Sequence, residues 1–134
     1  KIAQAYEFIS NKPNKFDEII TEGGSNVSGG QKQRLSIARA IVRKPDIYIF
    51  EDSFSALDFK TDAILRKELR SETQDAIVLI VAQRIGSIMD ADKIIVLNEG
   101  EVVGIGTHKE LIKTCPIYHE IATSQLTEEE LANE

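Results

Sequence analysis

Three short stretches carry residue types that could do chemistry. At Ser28-Gly29-Gly30-Gln31 two adjacent glycines open a polar and basic run that continues to Arg34. A serine ahead of bare backbone can cap a helix, and the free N–H groups and dipole at that helix start favour an anion such as phosphate. A plain N-cap behind a flexible turn has the same residues. At Glu51-Asp52 the apolar run Ile47 to Phe50 ends in paired acids, and at Gln83-Arg84 the run Ile77 to Ala82 ends in an amide and a cation. Such groups at the carboxyl ends of strands suit metal and phosphate better than packing, although an ordinary strand-to-loop change looks alike. The phosphate-cradling pattern GxxxxGK[ST] occurs nowhere, and no glycine is followed by lysine. An anion held at Ser28 therefore needs its other ligands from elsewhere.

The elements that must position these groups follow from periodicity. Ile2, Ala5, Phe8 and Ile9 have helical spacing up to Pro13-Asn14, and Leu35, Ile37, Ala38, Ile41 and Val42 stripe a second helix until Pro45. Ile47 to Phe50 and Ile77 to Val81 are continuous, branched runs of the kind buried on both faces, with a helix from about Phe59 to Ser71 between them. That is a βαβ pattern. Lys93 to Leu97 and Val102 to Ile105 flank Asn98-Glu99-Gly100 as a hairpin, and amphipathic helical pieces run from His108 to about Gln125. The fold class is α/β with a mostly parallel sheet and flanking helices.

The totals bound the function. With 134 residues, 42% hydrophobic and 28% charged, the chain has the composition of one globular domain. Its longest apolar run, Ala76 to Ala82, falls far short of the roughly 20 residues that cross a bilayer. A net charge of −6 argues against a nucleic-acid partner. Lys32, Arg34, Arg39, Arg43 and Lys44 gather along the second helix, while Glu128, Glu129, Glu130 and Glu134 make an acidic end; the distal Arg43 and Lys44 and the acidic end read mainly as solvated faces, and only the residues beside the glycines carry more. The lone Cys115 forms no internal disulfide and is expected to be structural. His108 belongs to the segment Gly106-Thr107-His108-Lys109-Glu110-Leu111 and His119 to a terminal helical piece, so neither reads as a metal ligand.

Three stretches in fixed order, NVSGGQKQR from Asn26, IYIFEDSFSALD from Ile47 and VAQRIGSIMDADKIIVLNEGEVVGIGTHKEL from Val81, resemble the nucleotide-binding domain of ABC transporters of the exporter type. The first resembles that family's signature motif, the second its Walker B strand with the D-loop Ser55-Ala56-Leu57-Asp58, and the third its switch region. The resemblance covers nearly the whole chain. It implies a P-loop NTPase-like sheet, with residues 1–44 as part of the helical subdomain, 45–125 as the C-terminal part of the ATPase core and 126–134 as an acidic tail. It implies ATP and Mg²⁺ as cofactors, with Ser28, Gly29, Gly30 and Gln31 donating in trans to the γ-phosphate of ATP on a second nucleotide-binding domain. A Cβ at either glycine would hold the backbone off the phosphate oxygens. It further implies a transmembrane-domain partner and a place at the cytoplasmic face of the cell membrane.

The family's P-loop strand and helix precede the signature and are not in these residues, so the chain by itself is expected to bind ATP weakly, to hydrolyse none and to self-associate through its unpaired strands. Aligned on the D-loop, Glu51 takes the position of the Walker B aspartate, meeting Mg²⁺ through water, and Asp52 that of the catalytic glutamate. The two acids are reversed in length. Gln83 stands at the usual switch histidine, where it can donate a hydrogen bond but not a charge-assisted one. These departures resemble heterodimeric multidrug-type exporters, in which one subunit's own site binds ATP but hydrolyses it poorly. A soluble ABC-type ATPase acting on DNA or ribosomes, and a non-catalytic interaction fragment, are the alternative readings.

Overall fold

The computed structural model describes residues 1–126, so the acidic tail from residue 127 lies outside the described residues. The chain forms two compact units, residues 1–81 and a second from Ala82. In the first, helix α1 spans only Tyr6–Ser10. The helix expected from Ile2 starts late because Gln4 turns the chain with φ 53° and offers its carbonyl to the Arg34 guanidinium at 2.8 Å. Ala3 and Ala5 are buried beside this turn, so the apolar spacing of Ile2, Ala5, Phe8 and Ile9 covers a packed turn first and the helix only from Tyr6. Helix α2, Gly29–Val42, is capped by Ser28 and ends where Lys44, with φ 44°, precedes Pro45.

Strand β1, Ile47–Glu51, and strand β2, Ile77–Val81, pair in parallel from Ile47↔Ile77 to Glu51↔Val81. Helix α3, Phe59–Glu72, connects them and completes the expected βαβ unit. Ile37 and Ile41 of α2, Tyr48 and Phe50 of β1, and Leu65 and Leu69 of α3 share one core with Phe54 and Leu57. The strands are not buried on both faces. Tyr48 and Phe50 point into the core, whereas Ile47, Ile49, Ile77, Leu79 and Val81 are each about half exposed or more. The reason is that α2 and α3 both pack on the Tyr48/Phe50 side.

In the second unit, strands β3, Ile94–Asn98, and β4, Glu101–Gly106, pair antiparallel with a bulge between Val96 and Leu97. Glu99 and Gly100 both take positive φ at the tip, as a type I′ hairpin turn requires. Helix α4, His108–Thr114, begins with a reciprocal Thr107/Glu110 capping box, and helix α5, Pro116–Gln125, begins with proline at its first position. Ile85, Ile94, Val96, Leu111, Cys115, Tyr118 and Ala122 form this unit's core. Cys115 is buried, as its expected structural role requires, and the buried His108 places Nδ1 2.7 Å from the Tyr118 hydroxyl.

Asp58 caps α3 by accepting from the Thr61 backbone N–H at 2.9 Å and the Thr61 hydroxyl at 2.7 Å. These bonds, the backbone one foremost, hold its carboxyl below the usual carboxylate range. Because the folded pKa is depressed, the cap's contribution is complete above the unfolded value and is lost as pH falls through the folded one. Amide exchange at Thr61, corrected for its intrinsic rate, should therefore be steady near neutrality and rise below about pH 4. Asp58→Asn, which caps without titrating, should abolish that acid dependence.

Candidate functional site

The start of α2 is a reciprocal capping box. The Ser28 hydroxyl accepts from Gln31 N–H at 3.3 Å, and the Gln31 side-chain oxygen accepts from Ser28 N–H at 3.1 Å. The Gly29 and Gly30 N–H groups then have no intrahelical acceptor, and Ser28 and Gly29 are exposed. Two free N–H groups at the positive end of a 14-residue helix, beside a hydroxyl with a proton still to donate, suit an anion. Ser28 and Gln31 therefore shape the backbone as well as offering their own polar atoms.

Glu51 and Asp52 stand exposed at the carboxyl end of β1. Asp52 turns the chain out of the strand with φ 49°, a left-handed conformation that aspartate tolerates better than most residues. Its carbonyl accepts from the Ser55 hydroxyl at 3.1 Å. Further along the loop, Leu57 is buried and Asp58 is the α3 cap, so half of Ser55 to Asp58 serves the fold directly. Arg66 lies 4.2 Å from the Phe54 ring centre and pairs with Asp62 at 2.7 Å, which steadies the loop from the α3 side.

The signature-like helix start and this loop are docked on each other. A Cβ at Gly30 would lie 2.8 Å from the Ala56 carbonyl oxygen, whereas one at Gly29 would make an ordinary 3.6 Å contact with Ala56. Gly30 is thus required by the close approach of the chain's own loop, a constraint separate from any approach to phosphate. The sequence reading missed Gln33. Its side-chain NH₂ donates to the Asp52 carbonyl at 2.9 Å and to the Ser55 hydroxyl at 3.0 Å, and its oxygen accepts from Ala56 N–H at 3.0 Å. The only available signal was a polar residue on the flank of an amphipathic helix, which does not say what it meets. Gln83 belongs to the second unit, where it is exposed just before the buried Ile85. Among the described residues no group of three or more His, Cys, Asp or Glu gathers as a metal site.

The family model described as ABC transporter matches residues 1–55. The chain is 51% identical over 79% of its length to an ABC transporter ATP-binding protein of Mycobacterium bovis, of which it covers 18%. It is 40% identical over its whole length to multidrug resistance protein 3 of Entamoeba histolytica, covering 10% of it. Against a putative multidrug export ATP-binding/permease protein of Staphylococcus aureus it is 42% identical over 93% of its length, covering 22%. Among solved structures, a bacterial Atm1-family ABC exporter with ATP bound matches 95% of the chain with a TM-score of 0.90 and 33% identity, and the chain covers 22% of it. The chain thus spans no more than about a quarter of these relatives' length.

Gln33→Leu removes both donors and the acceptor that hold residues 52–56. Hydrogen exchange at Ala56 N–H should accelerate about tenfold or more, while exchange in the middle of α2 stays unchanged.

Proposed function

This chain belongs to the ABC transporter ATP-binding family, and from that premise we propose that its exposed helix start, Ser28 to Gln31, completes the ATP site of a second nucleotide-binding domain in trans. The observation that supports this best is the capped helix start, which presents two N–H groups without intrahelical acceptors and is held in place by Gln33 rather than left as a loose turn. The whole protein is an exporter subunit at the cytoplasmic face of a membrane, coupled to a transmembrane domain. Among the described residues no helix is long and apolar enough to cross a membrane.

In this reading ATP supplies the phosphoanhydride and Mg²⁺ the Lewis acid, and the chain's residues position and polarise. The exposed carboxylate of Glu51 fits a water-mediated contact to the cation. Asp52 orients the attacking water and accepts its proton, and being one methylene shorter than glutamate it does so poorly. Gln83 donates a neutral hydrogen bond to the γ-phosphate, without the charge assistance a cationic imidazole brings. The subunit's own site consequently binds ATP and turns it over slowly, while its signature serves a faster site on a different partner chain. That is a heterodimer.

Ser28→Asp separates the functional role from the structural one. Aspartate is as good an N-cap as serine and suits the helix dipole, so stability should be unchanged or slightly raised. It also turns a fixed negative charge on an incoming phosphate. In the full-length transporter ATP turnover should fall more than tenfold at unchanged unfolding temperature, and preserved turnover would overturn the trans assignment.

For the 134-residue chain by itself we propose self-association through the exposed face and edge of β1 and β2, where Ile47, Ile49, Ile77, Leu79 and Val81 present apolar surface without charge. Light scattering should report dimers or larger species. A monodisperse monomer with a sharp, high-temperature unfolding transition would refute it.

A further inference from the structure

The polar contacts of the second unit include one that spans the chain from Gln83 to the end of α5. The side-chain NH₂ of Gln125 donates to the Gln83 carbonyl at 2.9 Å, and its side-chain oxygen accepts from Ile85 N–H at 2.9 Å. Arg84, between them, is extended, with φ −97° and ψ 123°. An extended residue turns the carbonyl before it and the N–H after it to the same side, which is how a parallel neighbour strand is met. The Gln125 amide therefore fills the place of a strand neighbour with one side chain.

We propose that Gln125 is a positioning residue for Gln83, clipping the backbone on both sides of Arg84 so that the Gln83 side chain leaves the chain from a fixed point. Two anchors are needed because the first reaches only part of the way. Ile85 is buried in the core that includes Tyr118 and Ala122 of α5, which fixes the chain at residue 85. Gln83 lies two residues upstream and is exposed, and the Ser87 N–H donates to the Arg84 carbonyl at 3.0 Å, on the Ile85 side of Arg84. The Gln125 amide adds a hold on the other side of Arg84, at the Gln83 carbonyl. Its own base is firm, since Gln125 closes α5 and the next residue, Leu126, still donates to the Ala122 carbonyl at 2.8 Å.

The inference rests on the proposed reading of Gln83 as a nucleotide-facing donor and adds the group that preorganises it. A neutral donor gives less per hydrogen bond than a cationic one, so its contribution depends more heavily on being held in place before the ligand arrives. The glutamine at residue 83 and the clip at residue 125 thus form a functional pair 42 residues apart.

The test uses the full-length exporter in its assembled form, with Gln125→Met, Gln83→Ala and the double variant. Methionine keeps the length and apolar stem of glutamine and removes both hydrogen bonds. Two quantities are measured: amide exchange at Ile85, and retention of a photoreactive ATP analogue on this subunit during a timed chase with unlabelled ATP. Gln125→Met should speed Ile85 exchange about tenfold and shorten retention about three- to tenfold, the range expected for a neutral hydrogen bond. Gln83→Ala should shorten retention similarly while Ile85 exchange stays slow, because the clip holds backbone and not the Gln83 side chain. The double variant should be no worse in retention than Gln83→Ala. Unchanged Ile85 exchange in Gln125→Met overturns the clip, and multiplied losses in the double variant overturn positioning through Gln83. If Gln83→Ala leaves retention unaltered, the nucleotide-facing reading of Gln83 fails, and Ile85 exchange still decides the clip by itself.

Discussion

The side-chain amide of Gln33 is the interaction on which the first unit's arrangement depends. Hydrophobic packing places α2 through Ile37 and Ile41, β1 through Tyr48 and Phe50, and two points of the following loop through Phe54 and Leu57, but it does not reach the exposed backbone of Asp52, Ser55 and Ala56. That stretch is tied to α2 by three hydrogen bonds from Gln33 to Asp52, Ser55 and Ala56, and by the approach of Ala56 to within 2.8 Å of the Cβ that Gly30 does not have. The helix start is thereby tied to the backbone that carries the acid pair. Under the proposed function this has a mechanical consequence. A phosphate drawn against Ser28 from a partner pulls on the same structure that sets the backbone of Asp52, so the two ATP sites of a dimer are coupled within each chain.

What could be read from the residues was whatever depends on local pattern. The hairpin around Asn98-Glu99-Gly100, the cap at Ser28 and the crossover from Ile47 through Phe59 to Ile77 all follow from spacing and from single residues with strong backbone preferences. Three things were not legible. The reach of Gln33 across 19 to 23 residues depends on where α2 lands, which no local pattern encodes. The turn at Gln4 overrode the apolar period, because Ala3 found burial in the core shared by Ile37 and Ile41 of α2, a helix whose position is likewise non-local. Gly30 had two possible reasons to be glycine, and only the position of Ala56 shows that one of them lies within the chain itself.

The sidedness of β1 and β2 shows how a composition cue outlasts the burial that explains it. A run such as Ile77-Val78-Leu79-Ile80-Val81 has the pattern of a strand covered on both faces, yet most of it is exposed. Binary patterning reports the environment for which the residues are suited and is silent on whether the described residues supply it. Here α2 and α3 supply one layer, and the branched side chains of the other face remain suited to a second.

The reversed order of Glu51 and Asp52 sets two physical terms against each other, and their sizes decide between them. Asp52 sits at φ 49°, where a side chain with a Cβ costs on the order of 1–2 kcal/mol, and where a short polar side chain that bonds locally recovers some of that cost. Glu51 is the last residue of an extended strand, where either acid is unstrained. The shorter acid therefore occupies the strained position and the longer one the relaxed position, which favours the observed order for folding by an amount smaller than the strain itself. Reach opposes it. One methylene is about 1.5 Å, and a base must come within about 2.6–3.2 Å of the proton it takes, so the lost length exceeds the whole width of that window. A fraction of a kcal/mol gained in backbone comfort is worth a few-fold in an equilibrium, whereas a base outside its window forfeits the 10²- to 10⁴-fold that general base catalysis typically contributes. In the proposed site the geometric term wins, and the residue best tolerated by the backbone at position 52 is also the one that leaves bound ATP slow to react.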